Sequence, residues 1–505
     1  MKENKNINKI KDKIKNNKNL KNNIFIILCF ILYMSIVISI SFFHEAWEDE
    51  AQAWLIARDL DFLQIIGQMK YEGHSFMWHY LLAFFAKSGL PYIFTNVLMF
   101  IFAGIICLLV LIKAPFKKLT KILILFSSVF LYYMPIILRP YIIIPLMLII
   151  ISILNEKPEK YPITYGICIA ILSNSHIIVL GLAVIIYIFY IKEEFFDKLH
   201  TNSKKQNCKL IIGAIIAFLG IFLVVVMAIM GYIFSIAATH GTDQIISVLY
   251  RTINFGKNLS RVLFGVDKYG IIILLEALFF TYLIVKSWKI NKKQGIIFII
   301  GLMFYLYVQL AIFGIYTDQR TALIYIFVLF LSWNMTNFSK NKNKMTIFEI
   351  LLIIITILGL PNTIRVIYQE IKYPYNDSKA VANYIDENIE EGSIFITVNW
   401  DSISSVEVYL SGKDYKFYDA TDCVFMTYAT WNKFLDKKGE DYLENAINKL
   451  KEESNKNLYV LNLISEDSNI TDLNSFRKSK DRLKLIYATK EKCLARKAYL
   501  YEIIK

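Results

Sequence analysis

The chain has 505 residues, 56% of them apolar and 15% aromatic, with 56 Lys and Arg against 42 Asp and Glu, a net charge of +14. This composition excludes a disordered chain, a collagen-like fibre and a small disulfide scaffold, and its apolar share exceeds that of an ordinary soluble enzyme. Such a basic balance would suit nucleic acid, but the charges sit in short runs between long apolar segments, so we expect an integral membrane protein with no nucleic-acid partner.

Residues 1–22 form a basic tail, in which Lys2, Lys5, Lys9, Lys11, Lys13, Lys15, Lys18 and Lys21 outweigh Glu3 and Asp12. The apolar run from Asn23 to Phe43 is long enough to span a bilayer. No small-residue cleavage site follows it, so it reads as an uncleaved first helix. Further apolar runs lie near 92–112, 121–138, 141–154, 161–175, 177–191, 210–237, 268–285, 295–314, 321–336 and 346–363. Together they predict about eleven spans, all helical because lipid offers no partner for backbone polar groups.

The tail and the loops 113–121, 155–160, 192–209, 286–294 and 337–345 hold roughly three times as many Lys and Arg as the alternate loops 44–91, 135–140, 238–267 and 315–320. This asymmetry predicts a cytoplasmic N-terminus. After an odd number of spans the C-terminus lies outside. The segment 76–87 is apolar but too short to span, and counting it as a span would reverse the charge pattern.

The first outer loop, 44–91, is the unusual part. His44-Glu45-Ala46-Trp47-Glu48-Asp49-Glu50 places four carboxylates where the chain leaves the first span. Trp47, Ala51, Trp54 and Leu55 then recur at helical spacing, which predicts a helix lying on the membrane with acids favoured at its N-terminus. Asp61 reads as the N-cap of a second amphipathic helix with Phe62, Ile65, Ile66 and Met69 on its apolar face. His44, His74, His79, His176 and His240 map to the outer side and only His200 to the inner. Outer histidines and acids could bind a divalent metal or exchange protons. Arg139 and Arg320 fall at outer turns, where two guanidinium groups could hold a phosphate, although either could simply snorkel.

A composition shift near Ile364 opens a second region, 366–505, with no segment able to span. A helix over 378–388, strands over 393–398 and 457–463 and an exposed helix over 437–451 predict a small extracytoplasmic α/β domain. Trp400, Asp401, Trp431 and the Tyr-rich stretch 409–428 could stack on sugar, but core packing is the commoner use of such residues. Cys423 and Cys493 fall in the same domain and could pair. The fold class is therefore mostly α: a multi-pass helical bundle over 23–365 with outer amphipathic helices, followed by the α/β domain.

The Asp49-Glu50 pair soon after the first span, the His74 to Leu82 stretch and the Arg139-x-Tyr141 turn resemble the GT-C superfamily of membrane glycosyltransferases, in the protein-mannosyltransferase and aminoarabinose-transferase group. The wording Asp49-Glu50-Ala51-Gln52-Ala53-Trp54, with Tyr71-Glu72-Gly73-His74, resembles an uncharacterised bacterial subfamily more specifically. The group's usual His-Pro-Pro-Leu is here His74-Ser75-Phe76-Met77, without the prolines. The resemblance implies transfer of a sugar, usually with inversion, from a polyprenyl-phosphate donor to an extracytoplasmic glycan, lipid or protein. It assigns Asp49 to the catalytic acidic position with Glu50 beside it. It places Arg139, with Tyr141, at the carrier phosphate, and Glu72, His74 and His176 near substrate or metal.

The residues agree with that chemistry. A base must take the acceptor proton and something must stabilise the leaving phosphate, for which Arg320 joins Arg139. Inversion needs one carboxylate and retention a second, for which Glu48, Glu50 and Glu72 are available. Mg, Mn or Zn, or no metal at all, is compatible with these groups. The rival readings are a lipid-linked glycan flippase, which predicts ionisable residues deep in spans and inverted repeats, where Glu276 is the clearest mid-span acid and no repeat appears, and a non-catalytic glycan-binding or assembly protein, which predicts no dependence on Asp49.

Overall fold

The computed structural model describes residues 2–198, 203–234, 245–266, 271–313, 317–339, 344–398, 400–429, 431, 441–465 and 479–504. His200, His240 and the first four residues of the expected 437–451 helix lie outside it, as do the side chains of Trp400 and Asp401.

The molecule is mostly helical, with one small sheet. Helix α1 (Lys2–Ser41) carries the basic tail and the first apolar run as one continuous element. Among the described residues, four helical stretches are long and apolar enough to cross a membrane: Leu20–Ser41, Phe94–Lys113, Lys204–Phe234 and Lys292–Phe313. The pair Ile347–Leu358 and Leu360–Lys372, bent by 41° at a break, makes a fifth if taken as one span. Gly359 and Pro361 sit at that break, where proline removes a backbone donor and crowds the preceding turn. Several other apolar runs are shorter or interrupted: Pro140–Leu154 and Pro162–Ser175 are short apolar helices, and 121–138 divides into helix Lys118–Leu125 and a π-helical turn, Val129–Tyr133.

Ile24, Ile27, Leu28 and Ile31 on α1 are exposed, as are Ile211, Ile215, Phe218 and Phe222 on Lys204–Phe234. Water tolerates such stripes poorly, whereas lipid matches them. The architecture thus fits a helical membrane protein.

Helices α2 (Glu48–Asp59), α3 (Phe62–Glu72) and α4 (Met77–Ala86) fill the first loop. Asp61 caps α3 as expected, its carboxylate accepting from the Leu63 and Gln64 amides at 2.9 and 2.8 Å. Ile65 and Met69 turn inward, while Phe62 stays exposed. Helix α2 departs from expectation. Of its residues from Glu48 to Ala57, only Asp49 is not buried. It lies between α4 and helix Trp400–Glu407 of the C-terminal region rather than on a surface. Polar residues explain the covering. Arg496 Nε pairs with Glu48 Oε1 at 2.5 Å, and Gln52 binds both the N–H and the C=O of Ala429.

The C-terminal region forms a six-stranded sheet of β1 (Ile394–Thr397), β2 (Lys416–Asp419), β3 (Val424–Met426), β4 (Leu458–Ser465), β5 (Leu483–Ala488) and β6 (Arg496–Ile503), in the order β3-β2-β1-β4-β6-β5. Strands β2, β1 and β4 are parallel and the other pairings antiparallel. Side chains alternate along β1. Ile394 and Ile396 pack with Ile447 and Leu450 on one face, and Phe395 packs with Val381, Ile385 and Ile403 on the other. Helix Tyr442–Glu453 therefore buries its apolar stripe instead of standing exposed. Cys423 and Cys493 are free thiols, so the pairing considered for them is not made.

Candidate functional site

A cavity of about 450 Å³ lies where α2, the α3–α4 turn, the Arg139 turn and the end of helix Pro162–Ser175 meet. Asp49, Glu72, His74, Arg139, His176 and Arg320 all line it, and so does Trp431 from the C-terminal region. Residues spread over more than 380 positions of sequence thus share one chamber.

Helix geometry separates Asp49 from Glu50. Neighbours on an α-helix project about 100° apart. Asp49 faces the cavity together with Gln52 and Ala53, one turn on. Glu50 is turned inward and does not line it, which removes the geometric basis for the catalytic role considered for Glu50. Its Oε2 accepts from the Trp47 amide and the Tyr92 hydroxyl, both at 3.3 Å, and lies 3.0 Å from His44 Nε2. Its Oε1 accepts from the Leu138 amide at 2.8 Å. Across the imidazole, His44 Nδ1 lies 2.7 Å from Glu370 Oε1, and Glu370 Oε2 accepts from the Tyr132 hydroxyl at 2.6 Å. Burial alone would lower the His44 pKa, but the carboxylates on both sides outweigh it and hold the ring protonated, well above its usual value. This network joins the residue after Asp49 to the residue before Arg139.

Asp49 and Arg139 meet across the chamber, Oδ2 to Nη1, at 2.8 Å. The Arg139 guanidinium lies 6.0 Å from the Trp47 ring centre, at the edge of cation–π range. Arg320 lies 4.4 Å over the Phe313 ring and donates from Nε to the Tyr141 hydroxyl at 3.2 Å. That hydroxyl is 3.4 Å from His176 Nε2. Because His176 Nδ1 accepts from the Ile178 amide, the neutral ring carries its proton on Nε2. Tyr141 therefore stands behind Arg320 and His176 as a support, and does not itself line the cavity.

Gly73 ends α3 at φ +72, a conformation that side chains resist. The turn leads the chain directly to His74 and Ser75 on the cavity wall. A Cβ at Gly231, on helix Lys204–Phe234, would collide with the Gly73 Cα, so the two backbones touch. The Ser75 hydroxyl donates to Asn174 Oδ1 at 2.6 Å, which ties this turn to helix Pro162–Ser175.

Glu72 accepts from the Gln52 and Gln68 side-chain amides at 3.2 and 3.3 Å. Burial pushes its pKa up to about 7, against those hydrogen bonds. Ionising Glu72 therefore costs the fold: stability is lost as pH rises from about 4.5 toward 7. We expect wild type to unfold more readily at pH 8 than at pH 5.5, and Glu72→Gln to show less of that difference. Thermal unfolding at the two pH values checks this, and an unchanged difference would refute it.

The histidines that line the cavity shift the other way. Burial, then Arg139, takes His74 down to about 4, and burial, then Arg320, takes His176 well below its usual value. His74 and His79 stack with ring centres 5.4 Å apart. At neutral pH these three rings act as uncharged hydrogen-bonding walls. Among the described residues no group of three or more His, Cys, Asp or Glu converges as metal ligands.

Four buried polar atoms of cavity residues have no hydrogen-bond partner among the described residues: Trp78 Nε1, His79 Nδ1, Arg139 Nε and Thr317 Oγ1. Each such orphan costs about 1–3 kcal/mol. All four belong to residues that line the chamber, so its wall holds polar groups that the protein leaves unsatisfied. Gln52, Asn174, Trp78 and Thr317 were not singled out from the sequence. Gln52 was within reach, three residues after Asp49 and so on the same helix face. Asn174 and Thr317 carry no local signal. No family model matches the chain, and no curated protein matches it.

Proposed function

We propose that the protein is a plasma-membrane glycosyltransferase that moves a sugar from a polyprenyl-phosphate donor to an extracytoplasmic glycan, lipid or protein. In this reading about eleven spans carry the basic loops on the cytoplasmic side and hold the cavity and the C-terminal domain outside. The observation that carries the reading is the chamber itself. Two carboxylates, Asp49 and Glu72, and two arginines, Arg139 and Arg320, line it, and Asp49 pairs with Arg139.

The reaction is a single displacement with inversion. The acceptor hydroxyl oxygen bonds to the anomeric carbon as the bond from that carbon to the phosphate oxygen breaks. Asp49 takes the hydroxyl proton, and the polyprenyl phosphate leaves with the bonding pair. Arg139 and Arg320 stabilise the phosphate charge. The Asp49–Arg139 pair gives the sequence of events a physical basis: a donor phosphate competes for Arg139 and releases Asp49 to act as base. Neutral His74 and His176 offer hydrogen bonds to sugar hydroxyls, and Trp47, Trp78 and Trp431 supply aromatic walls.

The test is incubation of the purified protein with a panel of polyprenyl-phosphate sugars and candidate acceptors, following carrier release. Donor-selective release supports the reading. Absence of release with every donor and acceptor favours a non-catalytic glycan-binding protein. Cysteine-accessibility mapping that places 44–75 in the cytoplasm would overturn the topology.

A further inference from the structure

A second cavity, of about 670 Å³, opens just past the apolar stretch of α1. It shares no lining residue with the first. Phe42 and Phe43, 78% and 48% exposed, give it an apolar mouth, and the exposed Lys379 and Lys490 reach it from the C-terminal region. No ion pair among the described residues involves either lysine.

Four acids line this cavity and differ in what they have left to offer; Glu491 is exposed to solvent. Glu370 is committed to His44 and Tyr132. Asp377 Oδ2 accepts from the Tyr487 and Thr489 hydroxyls at 2.7 and 2.6 Å. Glu45 Oε2, in contrast, is buried and has no partner among the described residues. A buried carboxylate oxygen without a donor is costly, so this one marks the place of a group that brings N–H. The lysines mark the place of an anion, and the phenylalanines that of hydrocarbon.

We propose that this cavity holds the headgroup of a phospholipid bearing both a phosphate and a primary amine, phosphoethanolamine being the simplest. The amine sits on Glu45, the phosphate on Lys379 and Lys490, and the acyl chains along Phe42 and Phe43. A purely anionic headgroup would leave Glu45 unpaired. A choline headgroup has no N–H to donate. The inference rests on the membrane reading of the chain and not on the donor chemistry of the first cavity.

Purified protein in mixed micelles would be given equal amounts of phosphatidylethanolamine, phosphatidylglycerol and phosphatidylcholine, and the retained lipid read by native mass spectrometry. We expect phosphatidylethanolamine to be retained at least about tenfold over the other two, the scale of one charge-assisted hydrogen bond. Glu45→Gln keeps the side chain's shape and should erase the preference over phosphatidylcholine. Lys379→Ala with Lys490→Ala, both at exposed positions, should weaken retention of all three. Burial raises the Glu45 pKa to about 7; Lys379 and His44 oppose that rise, and Asp377 and Glu370 add to it. The preference should therefore be greater at pH 8 than at pH 6. Equal retention of the three lipids, or a preference that survives Glu45→Gln, would overturn the proposal. Competition by soluble glycerophosphoethanolamine at similar concentration would overturn the assignment to a lipid. The readout is retention, so it stands or falls separately from sugar transfer.

Discussion

On the proposed function, Asp49→Asn is expected to lower sugar transfer by about 10²- to 10⁴-fold, the range for loss of a positioned general base. The substitution is nearly isosteric. Asp49 is about two-fifths exposed and, among the described residues, pairs with Arg139 alone, and the Asn oxygen can still accept from that guanidinium. The fold should therefore survive, and the loss should fall on kcat. KM for the donor should hold or fall, because Arg139 no longer shares its charge with a carboxylate when the phosphate arrives. Carrier release measured in wild type and variant, with unfolding curves for both, decides the matter. Equal rates would take Asp49 out of the mechanism and leave Glu72 as the carboxylate to examine.

Glu50→Ala destabilises the protein by about 3–5 kcal/mol, the usual cost of removing one partner from a buried charged pair. The Glu50 side chain is fully buried, and its loss leaves the Leu138 and Trp47 amides and the Tyr92 hydroxyl without this acceptor and the protonated His44 with Glu370 but not Glu50. Glu50→Gln, which keeps an acceptor of the same shape, should cost less. Denaturant unfolding in detergent measures both, and a loss below about 1 kcal/mol for the alanine variant would show that the network carries no such weight. The pH dependence has a definite sign. His44 is held above its ordinary pKa, so its contribution is complete below about pH 6.5 and is lost as pH rises through the raised value.

These two acids show what the sequence can and cannot disclose. Asp49 and Glu50 are adjacent, both early in a helix and both acidic, and nothing local separates them. The distinction comes from His44, six positions upstream, and from Tyr92 and Leu138, which arrive from 42 and 88 positions away to claim Glu50. Arg139, His74, His176 and Arg320 were legible because each stands at an apolar boundary, where a polar residue is conspicuous. Gln52 was not, because its value lies in holding the Ala429 backbone, a partner 377 positions away. The Asp61 cap and the helix Ser378–Asn388 follow from local rules and were read as they stand. The surface helix expected over Glu48–Asp59 failed for the opposite reason. Its apolar spacing was read correctly, but a second body covers the polar side, and only Glu48 and Gln52 hint at it. The apolar runs marked lipid-compatible segments well, yet Pro140, Pro162 and the π-helical turns divide them in ways that hydropathy does not register.

The contact between Gly73 and Gly231 makes the bilayer itself a variable of the site. Helix Lys204–Phe234 has 31 residues, or about 46 Å at 1.5 Å per residue, against roughly 30 Å of hydrocarbon. A helix longer than the film around it adjusts by tilting, and this one presses on the residue that precedes His74. Thinner or thicker membranes would thus shift the wall of the chamber without any ligand or mutation. Turnover compared in short-chain and long-chain phosphatidylcholine bilayers would reveal that dependence, and identical rates in both would show that the glycine contact transmits nothing.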